Sequence, residues 1–277
     1  MKSPSFPITD DHIHIDPVNG RGIEAAKDFF RAGGTHIFLV SKPSWSLGVH
    51  PSSGRDYAAV FDETLRVADL IRETGIVVFP ILGVHPAEIN RLAERMPLAD
   101  AVAVMKDGLE CAACYVQEGK AVGLKSGRPH YEVPPEVLAA SNDVLEHALL
   151  LAAERRCALQ IHAETGPCAD IVGMAQRAGV PVERVVKHYG SVDTTPLHPS
   201  LIAKHEAIPQ IVKKGRRFTM ESDYMDENSR PGAVIGPKSV PRYTNKFLEA
   251  GVVTEEDCFR IHGENIEKVY GVTISID

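Results

Sequence analysis

The sequence predicts an α/β protein built as a single (β/α)8 barrel, and three observations lead there. Short apolar, β-branched runs alternate with amphipathic stretches along the whole of the 277 residues. The repeat length, roughly 30 residues, suits one strand, one helix and their two connections. The strand-like runs are nearly continuous in apolar residues, as in a parallel sheet covered on both faces. A barrel of this type commonly uses about 250 residues as one domain, so residues 1–277 are read as one domain. An open doubly wound sheet is the alternative. No glycine-rich dinucleotide fingerprint follows the first strand, which weakens it.

The elements follow in order. "FPITDDHIHI" reads as the first strand and "GIEAAKDFFRAG" as a helix closed by glycine. "THIFLVS" is a strand, then "AAVFDETLRVADLIRETG" a helix. "IVVFPILGVHP" precedes the helical "LADAVAVMKDGLECAACYVQEG", and "KAVGLKSG" precedes "PPEVLAASNDVLEHALLLAAERRC". "ALQIHAE" and "ADIVGMAQRAG" form the fifth pair, and "RVVKHYG" is the sixth strand. "PSLIAK" is a weaker seventh, backed by "AIPQIVKKG". "RFTMESD" is the eighth, and "TEEDCFRIHGENIEKVYG" closes the chain as helix.

Composition narrows the function. The chain is 44% hydrophobic and 24% charged, ordinary for a globular protein, with a net charge of −7. That leaves no basic footprint for duplex nucleic acid, while a small anionic substrate or a nucleic-acid end stays open. Five cysteines at irregular spacing argue against a disulfide framework and for a reducing compartment. "MKSPSFPITDD" lacks the apolar segment of a signal peptide, and no run has the length of a membrane span. A cytoplasmic protein with a small-molecule substrate and no membrane partner is expected; a homo-oligomer is open.

Of the twelve histidines, His130 follows the fourth strand and the other eleven divide into two groups. His36, His50, His147, His198, His205 and His262 fall in loops, at element starts or on helices, and need no function. The others fall at strand ends. His12 and His14 end the first strand, His85 the third in "GVHP", His162 the fifth and His188 the sixth; Asp223 ends the eighth. Residues two apart in a strand share a face, so His12 and His14 project together. Barrel active sites lie at the C-terminal rim, where strand ends distant in sequence converge. Two histidines plus one plus one, with an aspartate, form a ligand set for zinc foremost, with manganese, nickel, iron or magnesium also accommodated. Asp223 beside such an ion can take a proton from a coordinated water.

Anion contacts are expected after strand ends: Arg128 and His130 after the fourth, Lys187 beside His188, Lys204 after the seventh. "DENSRPGAVIGPKSVPR" adds Arg230, Lys238 and Arg242 in a long loop after the eighth. His85, Arg128, His130 and Arg230 are the candidate substrate contacts, and Glu164 a candidate orienter of a ligand histidine. "CAAC", Cys111 to Cys114, has redox or zinc spacing, but it sits alone in a helical, Ala-rich stretch. Two small thiols on one buried helix face is the preferred reading.

With these residues in place, the sequence resembles the metal-dependent hydrolases of the amidohydrolase superfamily. "DDHIHID", "GVHP", "QIHAE", "VKHYG" and "ESDYMDENSRPG" are similar to the TatD-like hydrolases, particularly a divergent archaeal group. The resemblance runs from about residue 9 to the closing "HGENIEKVYG", and implies a TIM barrel with one or two divalent ions. It implies hydrolysis of an ester, phosphoester or amide by metal-bound hydroxide. On that pattern His12 and His14 hold one ion with Asp223, His162 and His188 hold the second, and Asp223 accepts the nucleophile's proton. One departure stands out. TatD-like enzymes usually carry a bridging glutamate on the fourth strand, where this chain has Leu124 followed by Lys125. In phosphotriesterase-like relatives a lysine on that strand is carboxylated and bridges two ions, so Lys125 is expected to be a carboxylated bridging ligand. The competing readings are an unmodified Lys125 that binds substrate beside one ion, a TatD-like deoxyribonuclease acting on nucleic-acid ends, and a lyase in which Lys125 forms a Schiff base. A non-catalytic metal-binding protein is the remaining class. Six ligands around two ions leave room for water, which argues against a closed structural site.

Overall fold

The computed structural model describes residues 5–194, 196–229 and 234–276. The first strand, β1 (Thr9–His14), leads through α1 (Ile23–Arg31) to β2 (His36–Val40). α2 (Ala58–Arg72) and β3 (Val77–Gly83) follow, then a short α3 (Glu88–Ala93) and the long α4 (Leu98–Gln117). β4 (Gly123–Gly127), α5 (Pro135–Arg155), β5 (Ala158–His162), α6 (Ala169–Ala178) and β6 (Val185–Lys187) continue the alternation. β7 (His198–Ile202), α7 (Ile208–Lys213) and β8 (Thr219–Glu221) are followed by a two-residue strand β9 (Tyr224–Met225). The chain ends in α8 (Ser239–Glu249), α9 (Glu255–Phe259) and α10 (Asn265–Tyr270).

Among the described residues the strands pair, all parallel, in the order β8-β7-β6-β5-β4-β3-β2-β1-β9. The sheet curls so that β8 meets β1: Thr219 Oγ1 of β8 donates to Asp11 Oδ2 at 2.5 Å, and the Asp223 amide donates to the His12 carbonyl at 3.0 Å. The side chains sort by the period of two that a strand imposes. Ile37 and Leu39 pack outward against Ala25, Phe29 and Val67 of the first two helices. Phe38 and Val40 point inward, with Ile81, Ala158 and Val186. Below them the interior is plugged by Ile266, Val269 and Tyr270 of α10, Tyr270 lying 4.2 Å from Phe38 between ring centroids. Both faces of the strands are therefore covered, which is why they read as unbroken apolar runs.

Two features were not anticipated. β9 adds a strand beside β1 through Ile13 and His14. Part of the expected loop after the eighth strand is helical, as α8. The closing helix starts where "TEED" predicts: Thr254 and Asp257 cap it reciprocally. It then passes through a single π turn, Arg260–Glu264, that seats His262 on β1, with Thr9 Oγ1 donating to the His262 carbonyl at 2.6 Å. No helix among the described residues is long and apolar enough to cross a membrane.

Close backbone approach at the top of β4 gives a testable consequence. Gly127 has φ +148°, and a Cβ there would lie 1.9 Å from the His162 carbonyl oxygen. Gly127→Ala is expected to destabilise the fold by on the order of 3 kcal/mol, through steric conflict and a backbone angle that L side chains avoid. Denaturant unfolding measures it; a loss below about 1 kcal/mol would show that the strands separate freely there.

Candidate metal centre

The parallel order puts the C-terminal ends of the strands on one side, and the predicted ligands come together there. His12 and His14 project from β1 with their Nε2 atoms 3.1 Å apart. His162 ends β5 and His188 follows β6, with Nδ1 of the first 2.8 Å from Nε2 of the second. Asp223 follows β8, its Oδ1 3.8 Å from His12 Nε2. The His12 and His188 rings stack at 4.2 Å. Lys125, on β4, is buried among these groups and adds its charge to the surroundings of His12, His14, His162 and His188.

Glu221 belongs to the cluster and was missed in the sequence. It is fully buried, with Oε1 accepting from the Tyr189 amide at 2.7 Å and lying 3.6 Å from His188 Nδ1. Two overlapping sets of potential ligand atoms result, each within 4.8 Å of one another: His12, His188 and Glu221, and His12, His14 and Asp223. The signal for Glu221 was present in "MESD". Glu221 and Asp223 are two apart, the same spacing that singled out His12 and His14, but the eighth strand was read as ending at Asp223, whereas β8 ends at Glu221.

The donor set fits a divalent ion on the chemistry of its own contacts. His14 Nδ1 lies 2.9 Å from the Val40 carbonyl, which can only accept, so Nδ1 carries the proton and Nε2 presents a lone pair. Burial holds His14 neutral, down to about 3, and pushes His12, His162 and His188 below the ordinary imidazole range as well. Neutral imidazoles whose nitrogens face one another at 2.8 and 3.1 Å are near the separation, about 3.3 Å, of two nitrogens on one tetrahedral zinc. Glu221 Oε2, His12 Nδ1, His188 Nδ1 and Lys125 Nζ are buried without hydrogen-bond partners. Burial raises Asp223 to about 6, against the opposing pull of Lys125, and raises Glu221 also. Carboxylates this desolvated gain most from a nearby cation.

A pocket of about 230 Å³ opens beside the cluster, lined by His130, His162, Lys187, His188, Tyr189 and Asp223 among others. Asp223 and Tyr189 both have positive φ, +44° and +52°. Such strained backbone in non-glycine residues gathers at functional sites. His130 Nδ1 is 2.6 Å from His162 Nε2, and His85 packs against both His162 and the single tryptophan, Trp45. Lys187 is buried and donates to the His188 carbonyl at 2.7 Å.

Other expected contacts lie elsewhere. The Arg128 guanidinium is taken up by Glu164 and Asp170, with Asn142 at 3.1 Å, and is not among the residues that line the pocket. Glu164 is correspondingly engaged with Arg128 rather than with a histidine. Lys238 pairs with Asp28, and Lys204 and Arg242 are exposed. Arg230 lies outside the described residues. Cys111 is half-buried and Cys114 exposed on α4, so that helix face is not the buried one expected.

The fold and this cluster define the class: a metal-dependent hydrolase. Residues 9–271 match the family model described as TatD related DNase, and the chain belongs to that family. It is 37% identical to an uncharacterized protein of Methanocaldococcus jannaschii over 98% of each chain. In three dimensions it is similar to the lactonase Lmo2620 of Listeria monocytogenes, with a TM-score of 0.63 and 14% identity over 98% of this chain and 95% of that one. It is also similar to the organophosphorus hydrolase of Deinococcus radiodurans, with a TM-score of 0.63 and 13% identity over 98% and 94%. At such identities the likeness is one of fold.

Proposed function

We propose that this protein is a (β/α)8-barrel hydrolase that cleaves an ester, phosphoester or amide-type bond in a small, anionic substrate. The observation that carries the reading is the union of two ligand sets sharing His12 with an adjoining pocket of about 230 Å³. That volume suits a small molecule. Zinc is the foremost ion for so imidazole-rich a donor set, with manganese, nickel, iron or magnesium as alternatives. His12, His14 and Asp223 would hold one ion, and His162, His188 and Glu221 the other, with a carboxylated Lys125 between them. Bound divalent ions there bring the pKa of a coordinated water toward neutrality and draw charge from the bond being cleaved.

The chain's own groups supply the rest. Asp223 borders both the ligand cluster and the pocket, where it accepts the proton of the attacking water. Lys187 and His130 line the pocket and offer positive or donating groups to the substrate's anion, with His85 behind His162. Arg128 instead braces the loop after β5 through Glu164.

The test is hydrolysis of four probes by zinc-loaded and by chelator-treated protein: a δ-lactone, p-nitrophenyl acetate, bis-p-nitrophenyl phosphate and a short single-stranded oligonucleotide. Metal-dependent turnover of a small probe is expected, at least about 10²-fold above the chelated protein. Cleavage confined to the oligonucleotide would replace this reading with that of a nuclease on nucleic-acid ends. Covalent trapping of a carbonyl compound on Lys125 by borohydride, without metal-dependent hydrolysis, would replace it with a Schiff-base lyase.

A further inference from the structure

A second pocket, of about 160 Å³, opens on the same side of the barrel as the ligand cluster. It lies between the turn after β2, Ser44–Leu47, and the short helix α3. Both follow the C-terminal ends of their strands, the side on which barrels of this kind bind substrates. One wall is Trp45, the single tryptophan of the chain. The Trp45 ring meets the His85 ring edge-on, 6.0 Å between centroids, and His85 lies 5.2 Å from His162. The pocket is thus two ring contacts from the metal ligands.

The reaction leaves its charged groups unused. Arg91 holds its guanidinium over Trp45, 4.7 Å from the ring centroid. Arg95 follows one helical turn on, and its Nη2 donates to the Pro51 carbonyl at 3.3 Å. Among the described residues neither arginine is ion-paired with a carboxylate, although Glu88 and Glu94 also line the pocket. The Glu88 carboxylate is engaged by Ser44: its oxygens accept from the Ser44 amide at 2.7 Å and from the Ser44 hydroxyl at 2.9 Å. That buried link ties the tryptophan's turn to α3, so the wall and the arginines share one frame. Two cations one turn apart repel each other, and an oxyanion between them offsets that cost. A guanidinium stacked on a ring keeps its in-plane N–H groups for donation to such an anion. Arg91, Arg95 and the exposed Glu94 together leave one net positive charge, which suits a carboxylate better than a phosphate dianion.

We propose that the pocket bounded by Trp45, Arg91 and Arg95 is a second substrate subsite that takes a carboxylate remote from the bond cleaved, in addition to the anion that Lys187 and His130 face. The stem of the substrate then runs along Trp45 and His85 toward the ligand cluster. The inference rests on the reading of this rim as a hydrolytic site.

Trp45 is its own reporter. Its fluorescence in zinc-loaded, full-length protein is followed on adding adipate, hexanediol or inorganic phosphate at constant ionic strength. Wild type, Arg91→Gln and Arg95→Gln are compared. Adipate is expected to give a saturable change, and each substitution to weaken its binding by about 10–100-fold, the usual effect of losing a charged hydrogen-bond partner. Hexanediol is expected to give no change. In parallel, p-nitrophenyl monoesters of glutaric, adipic and suberic acids are compared with the neutral p-nitrophenyl hexanoate. Wild type is expected to prefer one of the charged esters by at least about tenfold in kcat/KM, chiefly through KM, and Arg91→Gln to lose that preference. No response to adipate overturns the subsite. So does a response that survives both substitutions, which would put the ligand at the metal cluster, and so does phosphate binding more tightly than adipate. Adipate binding that is lost with the arginines, in a protein that hydrolyses no ester, would keep the carboxylate site and remove the hydrolytic reading. Ester hydrolysis without preference for the charged probes would do the reverse.

Discussion

Asp223→Asn is expected to lower kcat for the hydrolysed probe by about 10³-fold, within the range of 10²–10⁴ that general acid–base catalysis contributes. The asparagine keeps the shape and one oxygen donor, but it cannot accept a proton. The backbone position survives, because the Asp223 amide bond to the His12 carbonyl does not involve the side chain. The comparison is made at saturating metal, because the amide oxygen is a weaker ligand than the carboxylate for the ion that His12, His14 and Asp223 would hold. The carboxylate is suited to the task by its setting. It reaches within 3.8 Å of His12 Nε2, borders the pocket, and is lifted by burial to about 6, nearer to working pH than an exposed aspartate. Steady-state kinetics with metal analysis on the same samples provide the measurement. A kcat within about tenfold of wild type would remove Asp223 as the proton acceptor.

The second large effect concerns Lys125. Wild-type protein is expected to hold two divalent ions per chain, and Lys125→Met one or none, with hydrolysis reduced at least about 10²-fold. Methionine fills the volume without an amine, so packing is preserved. Lys125 is 2% exposed on β4, and its Nζ has no hydrogen-bond partner. A buried ammonium without partners is costly, and burial brings this one down to about 7, while Asp223 and Glu221 pull it upward. A neutral amine can add to carbon dioxide: the N–C bond forms, an N–H proton leaves, and the product is an anion with two oxygens. The cation that would repel the two ions becomes a ligand for both. Intact-protein mass under native conditions should show the added CO2 in wild type alone. One ion in each protein, with no added mass, would make Lys125 a substrate contact.

The site's histidines were legible because their signal is local. "DHIH" shows two side chains on one face by the period of a strand, and "QIHAE", "VKHYG" and "ESD" each end an apolar run. The order of such runs implies a parallel sheet, and a parallel sheet gathers its C-terminal ends. Glu221 escaped that logic because the eighth strand was read as running on to Asp223, whereas β8 ends at Glu221, and a buried unpaired carboxylate is implausible until the surrounding imidazoles are known. Arg128 shows the limit of spacing from the other side. Its position after the fourth strand suited a substrate contact, but Glu164 and Asp170, 36 and 42 residues further on, claim its guanidinium. Pairing of this kind depends on which loops adjoin, and sequence spacing does not encode that.

What the sequence by itself determined was periodicity: which residues make strands, which faces are apolar, and which polar side chains are stranded where apolar ones belong. These are properties of a few neighbouring residues and follow from the geometry of the backbone. What only the tertiary structure decided was partnership. It joined Asp11 to Thr219 across 208 residues and Gln160 to Tyr270 across 110, and it placed the last helix beneath the first strand's histidines. Hydrogen bonds and ligand geometry are set by angstrom-scale separations between atoms. Those separations arise from the curl of the whole sheet, to which every strand and helix contributes.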